Sequence, residues 1–116
     1  MSQILRVYHN PRCSKSRQAI QFLEESGSQF EVVEYLKNVP NSAELTAIVK
    51  KLGISPFDLV RKGEEIFKTN YKGKTLSDKE WIQAMVDHPK LIERPIVVKG
   101  DKAVIGRPTE AIEVLF

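Results

Sequence analysis

A single cysteine, Cys13, lies inside the run Tyr8-His9-Asn10-Pro11-Arg12-Cys13-Ser14-Lys15-Ser16-Arg17, where a short β-branched segment gives way to helical periodicity. A thiol at a helix start is acidified, because the first N–H groups of the helix lack backbone partners and their dipoles favour negative charge. Arg12, Lys15 and Arg17 add positive charge close by and move the thiol pKa the same way. A thiolate that persists at neutral pH is a nucleophile. Most free cysteines are instead small buried apolar residues. The basic surroundings, with Asn10 and Pro11 in place of apolar periodicity, favour the reactive reading here.

Cys13-Ser14-Lys15-Ser16 has the spacing of a redox motif, with serine where a second cysteine would stand. Any covalent intermediate on Cys13 must then be resolved from outside, by a small thiol such as glutathione or by a partner protein's cysteine. Three arginines are candidates for an oxyanion pocket, since a guanidinium grips an oxyanion through a planar fork. Arg94 precedes Pro95 and an apolar strand, Arg107 follows a second strand, and Arg61 ends a short helical piece. His9 could tune the thiol or could simply close the first strand. His88, before Pro89, reads as a dipole partner at a helix end. Two distant histidines and one cysteine are too few for a metal site, so no metal is expected. The chain carries no P-loop or Rossmann glycine pattern, and Arg17 follows Cys13 too closely for a cysteine-phosphatase cradle.

These residues need a scaffold. Ile4–Tyr8 reads as a strand and Ser14–Ser26 as a helix with Ala19, Ile20, Phe22 and Leu23 on one face, ended by Gly27. Phe30–Leu36 reads as a second strand, giving a parallel βαβ unit. The middle is helical: Asn41 to Glu44 has capping-box spacing ahead of Leu45, Ile48, Val49 and Leu52, with Gly53 as the stop. Ser55-Pro56 starts another helix, and Ser77 to Glu80 caps a third carrying Trp81, Ile82, Met85 and Val86. Pro95–Lys99 and Lys102–Ile105 read as a hairpin turned at Gly100-Asp101, and Pro108 stands ready to start a last helix through Phe116. The order βαβ, helices, ββα predicts an α/β, thioredoxin-like fold with a mixed four-stranded sheet. Residues 1–116 are read as one domain, with a helical insertion over roughly 41–92. In that layout the Cys13 loop and the Arg94-Pro95 turn are neighbours, and Pro95 is a candidate cis-proline.

Composition fits an ordinary globular chain, with 41% apolar and 28% charged residues over 116 positions. The net charge of +3 is mild, and its lysines and arginines are mixed with carboxylates except around Cys13. That distribution points to a local anion site and away from nucleic acid. No apolar run nears the roughly twenty residues of a membrane span, and no signal peptide is visible, so a cytoplasmic protein without membrane contact is expected. With no spare heptad stripe or long apolar edge, a monomer is the expected state.

The reactive run from Tyr8 to Arg17, the later Arg94-Pro95-Ile96-Val97-Val98 and Gly106-Arg107-Pro108 resemble the glutaredoxin-coupled arsenate reductases. The likeness extends along essentially the whole chain, including Leu52-Gly53-Ile54-Ser55 and Leu59-Val60-Arg61-Lys62. It implies reduction of arsenate to arsenite with glutathione as co-substrate, glutaredoxin as partner and no bound cofactor. It also implies Cys13 as nucleophile, His9 as a histidine influencing the thiol, and Arg61, Arg94 and Arg107 as an oxyanion triad. Asn10 and Ser16 would hold the reactive loop. Ser14-Lys15 stand where the best-known arsenic-resistance members carry Gly-Thr. Two alternatives therefore stay open: a glutathione-linked thiol oxidoreductase acting on another substrate, and a non-catalytic redox regulator of the Spx type. The latter proteins usually carry a second cysteine where this chain has Ser16.

Overall fold

The computed structural model describes residues 4–116, which divide into two compact units. The first holds the described residues up to Asn38 together with Arg94–Phe116; the second is Val39–Glu93.

In the first unit, β1 (Leu5–His9), α1 (Ser14–Glu25), β2 (Phe30–Glu34), β3 (Ile96–Lys99) and β4 (Lys102–Ile105) build a mixed four-stranded sheet of order β2-β1-β3-β4. β1 runs parallel to β2, while β3 runs antiparallel to both β1 and β4. This is the α/β, thioredoxin-like arrangement that the order of elements predicts. Leu5 and Val7 of β1, Ala19 and Leu23 of α1 and Val97 of β3 pack with Ile112 and Leu115 into one core. Removing that surface from water is the main force holding the unit together. The β3–β4 turn has Gly100 at φ +60°, the positive value that a type II′ hairpin requires at its first central position.

In the second unit, α2 (Ser42–Leu52), α3 (Pro56–Leu59), α4 (Glu65–Asn70) and α5 (Asp78–Asp87) are followed by a short 3-10 turn, Pro89–Leu91. Asn41 caps α2 by accepting the Glu44 N–H at 2.8 Å, and Gly53 ends it at φ +71°. Ser77 and Glu80 form a reciprocal capping box at the start of α5. Trp81 anchors the unit, with ring centroids of Phe57, Tyr71 and Phe67 at 5.0, 5.9 and 6.2 Å. Among the described residues no helix is long and apolar enough to cross a membrane.

Several elements differ from the sequence reading, including shifts of one residue at the ends of β1 and α1. The second strand stops at Glu34, because its carbonyl accepts the N–H groups of both Lys37 and Asn38 and turns the chain there. β3 begins at Ile96, since Pro95 has no N–H to donate to a ladder. α4 went unread: its apolar residues Ile66 and Phe67 show no helical period, and Phe67 is buried against Trp81 by tertiary packing. The last helix is a 3-10 helix over Thr109–Leu115, with Pro108 as its extended cap residue. Its buried residues Ile112 and Leu115 are three apart, a period that aligns on one face of a 3-10 helix.

Candidate active site

Strand register brings the reactive residues of the first unit together. Tyr8 pairs with Ile96, and Ile96 with Ile105. Beyond those pairs the Gly106 N–H donates to the Pro95 carbonyl at 2.8 Å, extending the β3–β4 ladder by one rung. The loop after β1, the residue Arg94 before β3 and the residue Arg107 after β4 therefore leave the sheet at the same end. The Arg94–Pro95 and Arg107–Pro108 peptide bonds are both cis.

Asn10 folds the loop. Its side-chain oxygen accepts the Arg12 N–H at 3.0 Å, an Asx turn, while its carbonyl accepts the Cys13 N–H at 3.0 Å. Its own N–H donates to Ser16 Oγ at 3.3 Å, and Ser16 is fully buried. A buried hydroxyl and amide satisfied by each other fix where the loop meets the helix. Arg17 closes the turn from outside by donating from Nη1 to the Pro11 carbonyl at 2.9 Å. The residues around the thiol are thus ordered by short-range bonds that no apolar pattern announces.

Cys13 is the N-cap residue of α1, in an extended conformation, and its carbonyl accepts the Arg17 N–H at 3.0 Å. The side chain is partly buried. Burial, the largest single influence, pushes the thiol pKa up; the Ser16 N–H, the Arg94 guanidinium and the Lys15 N–H together outweigh it and hold the thiol below its ordinary value. Cys13 makes no side-chain cap bond, so the Ser16 and Lys15 amides act on the sulfur as oriented dipoles. Arg94 contributes both a hydrogen bond and its charge. Its Nε is buried and has no hydrogen-bond partner in the protein. A buried, unmatched guanidinium N–H is costly on its own and suits a site that receives an anion.

The remaining candidates are placed differently. His9 ends β1 opposite Glu34. Burial lowers its pKa, Glu34 opposes that and Arg17 adds to it, so the ring is held neutral at neutral pH. The groups that move the Cys13 thiol most are amides and Arg94, while His9 answers to Glu34 and Arg17. Arg107 is exposed, and its N–H donates to the Ile105 carbonyl at 2.9 Å in a tight turn. Arg61 belongs to the helical unit, where its Nε lies 3.7 Å from Glu64 Oε2 and its Nη1 is buried without a partner. Its N–H donates to the Leu91 carbonyl, beside the Val60–Ile92 bridge. A groove of about 990 Å³ in that same unit is lined by residues such as Val49, Ile54 and Ile82, and by none of the residues discussed as reactive.

Sequence reasoning quoted Gly106 only within the Gly106-Arg107-Pro108 run and missed its packing role. A Cβ there would stand 3.1 Å from Pro95 Cγ and 3.3 Å from Ile112 Cδ1, so a side chain at this position requires Pro95 and Ile112 to give by a few tenths of an ångström. Gly106→Ala is expected to cost about 1–3 kcal/mol by overpacking. Urea unfolding checks this; an unchanged midpoint would show that Pro95 and Ile112 have room to give.

Comparison with known proteins identifies relatives of this chain. The family model described as ArsC family matches residues 8–115. The chain is 47% identical to the uncharacterized protein YfgD of Escherichia coli, over 97% of this chain and 96% of that one. It is 42% identical to a protein named arsenate reductase from Neisseria meningitidis, over 97% of each chain. A solved structure titled arsenate reductase from Vibrio cholerae superposes with a TM-score of 0.95 at 39% identity, covering 100% of both chains.

Proposed function

The chain belongs to the ArsC family, and from that premise we propose that it reduces arsenate to arsenite through a covalent adduct on Cys13, with glutathione and glutaredoxin as the thiol reductants. The observation that carries the reading is the lowered Cys13 thiol beside the unmatched, buried Nε of Arg94. Relatives named arsenate reductase at 42% identity support the choice of oxyanion.

The physical obstacle is the meeting of two negative reactants, a thiolate and an arsenate. Preorganised positive charge where negative charge accumulates lowers that barrier. The Cys13 thiolate attacks arsenic; an S–As bond forms and an oxygen leaves as hydroxide or water. A glutathione thiol then displaces a second oxygen, giving an arsenic that carries both sulfurs. The glutaredoxin thiolate attacks the glutathione sulfur, forming a mixed disulfide. The electron pair of the broken S–As bond stays on arsenic, which is thereby reduced from As(V) to As(III). Water displaces Cys13, and arsenite leaves with the thiolate restored. Each sulfur step is a nucleophilic displacement of the kind thiolates perform.

Arg94 and Arg107 serve as oxyanion ligands in this scheme, and Arg61 joins them on the strength of the resemblance alone. Asn10 and Ser16 hold the loop, and Pro95 aims the Arg94 turn. His9, held neutral, offers a proton acceptor at the loop's entrance. The protein acts as a monomer in this reading.

The test is a coupled assay with arsenate, glutathione and glutaredoxin, run beside a glutathionylated peptide as competing substrate. Turnover of arsenate at the higher kcat/KM supports the proposal. Turnover of the peptide alone would replace it with a thiol oxidoreductase acting on disulfides.

A further inference from the structure

Cys13 is the chain's single cysteine, so the thiol that resolves an intermediate must come from outside and reach the sulfur through its immediate surroundings. Arg12 and Lys15 stand one and two positions from Cys13 in the chain, and both are exposed. Neither side chain has a hydrogen-bond or ion-pair partner among the described residues. Arg17 differs, since its guanidinium is committed to the Pro11 carbonyl. No aspartate or glutamate occurs between Asn10 and Leu23, and the first turn of α1 holds no acidic residue. Elsewhere in the same unit Arg6 is matched by Glu31 at 2.7 Å and Lys37 by Glu34 at 3.7 Å. The cations beside the nucleophile are therefore uncompensated. They also come from the loop and helix start, whereas Arg94 and Arg107 come from the ends of β3 and β4.

Uncompensated charge at the mouth of a reactive centre concentrates counter-charged reactants and raises their on-rate. We propose that Arg12 and Lys15 form an outer docking rim that selects a carboxylate-bearing thiol as the resolving reductant of Cys13, over neutral and cationic thiols. The inference rests on Cys13 being the reactive sulfur and adds to that reading the side chains that select its thiol partner. Glutathione fits the class, because its carboxylates outnumber its ammonium group at neutral pH.

The test separates this step from arsenate chemistry. The full chain is labelled at Cys13 with dithiobis(nitrobenzoate), leaving a mixed disulfide. An attacking thiolate bonds to the Cys13 sulfur, the S–S bond breaks, and nitrothiobenzoate leaves with the electron pair and absorbs visible light. Release rates are measured with glutathione, 2-mercaptoethanol and cysteamine, which are anionic, neutral and cationic. In the double variant Arg12→Gln with Lys15→Gln the glutathione rate is expected to fall about five- to tenfold at low ionic strength. The 2-mercaptoethanol rate should stay within about twofold, and the cysteamine rate should rise. Near 1 M salt, where screening length falls to about 3 Å, the difference between the proteins should vanish. Arg12→Glu with Lys15→Glu should invert the order of preference. A glutathione rate unchanged by the substitutions, or an equal change for all three thiols, overturns the proposal, even if a protein thiol is slowed. Since arsenate is absent, failure here leaves arsenate reduction standing, and loss of arsenate turnover leaves this selectivity standing.

Discussion

Cys13→Ser is expected to abolish glutathione-dependent arsenate reduction, by at least about a thousandfold, while leaving the fold intact or slightly more stable. The loss follows from the mechanism: a serine hydroxyl stays protonated at neutral pH and cannot form the S–As bond on which every later step depends. The gain follows from position. Cys13 occupies the N-cap of α1 without a side-chain cap bond, and serine is among the best N-cap residues, typically worth about 1 kcal/mol over a non-capping side chain. Activity and thermal melting measured on the same preparation check both halves. Residual turnover near the wild-type rate would remove Cys13 from the chemistry. Loss of activity together with unfolding would leave catalysis unresolved for serine alone, and alkylation of Cys13 in the wild-type chain, which leaves the sequence intact, then decides the matter.

Arg94→Ala is expected to lower kcat/KM for arsenate by about 10²–10³, the usual effect of removing one preorganised oxyanion donor. Arg94→Lys should fall between, because the charge survives and the planar fork does not. The same substitution should move the thiol. Burial raises the Cys13 pKa and Arg94 is among the groups that bring it below the ordinary value, so the alkylation midpoint should rise in Arg94→Ala. The sign for stability follows. A depressed folded-state pKa means that the folded chain holds fewer protons than the unfolded chain between the two values. The contribution is present above the unfolded thiol pKa and is lost as pH falls through the lowered folded value. His9 behaves alike in its own range: its folded pKa is lowered by burial, so its contribution is present above the unfolded histidine value and is lost on acidification. Alkylation rate against pH, for wild type and both variants, reads the thiol part directly. A midpoint that does not move on removal of Arg94 would detach the guanidinium from the sulfur.

The sheet and the hairpin were legible from short β-branched runs bounded by turn residues, and β1 and the crossover helix also from apolar residues at the period of the element. Leu5 and Val7 alternate on β1, and Ala19 and Leu23 stand four apart on α1, so one sequence pattern specifies both the element and its buried face. Asn41 and Ser77 were legible as helix starts for a local reason too: a capping side chain acts on backbone within three residues of itself. Ser55-Pro56 was legible because proline fits the first helical position. α4 and the 3-10 form of the last helix were not legible. The first is held by Phe67 packing on Trp81, and the second by Ile112 and Leu115 reaching a core whose other members are distant in sequence.

The same division holds at the reactive end. Residue types alone marked Cys13 as acidified, and the helix start within a few positions of it does act on it through the Ser16 and Lys15 amides. The basic side chains expected to add to this, Arg12, Lys15 and Arg17, are not among the groups that move the thiol. What lies on the far side of the thiol came only with strand pairing. The antiparallel register sets Arg94 beside the loop, and the contact of Gly106 with Pro95 sets the end of β4 against it. A sequence records which groups carry charge and which can ionise. Whether a guanidinium some eighty positions away reaches the sulfur depends on how the strands pair and on what a missing Cβ allows to close, and the folded chain alone decides that.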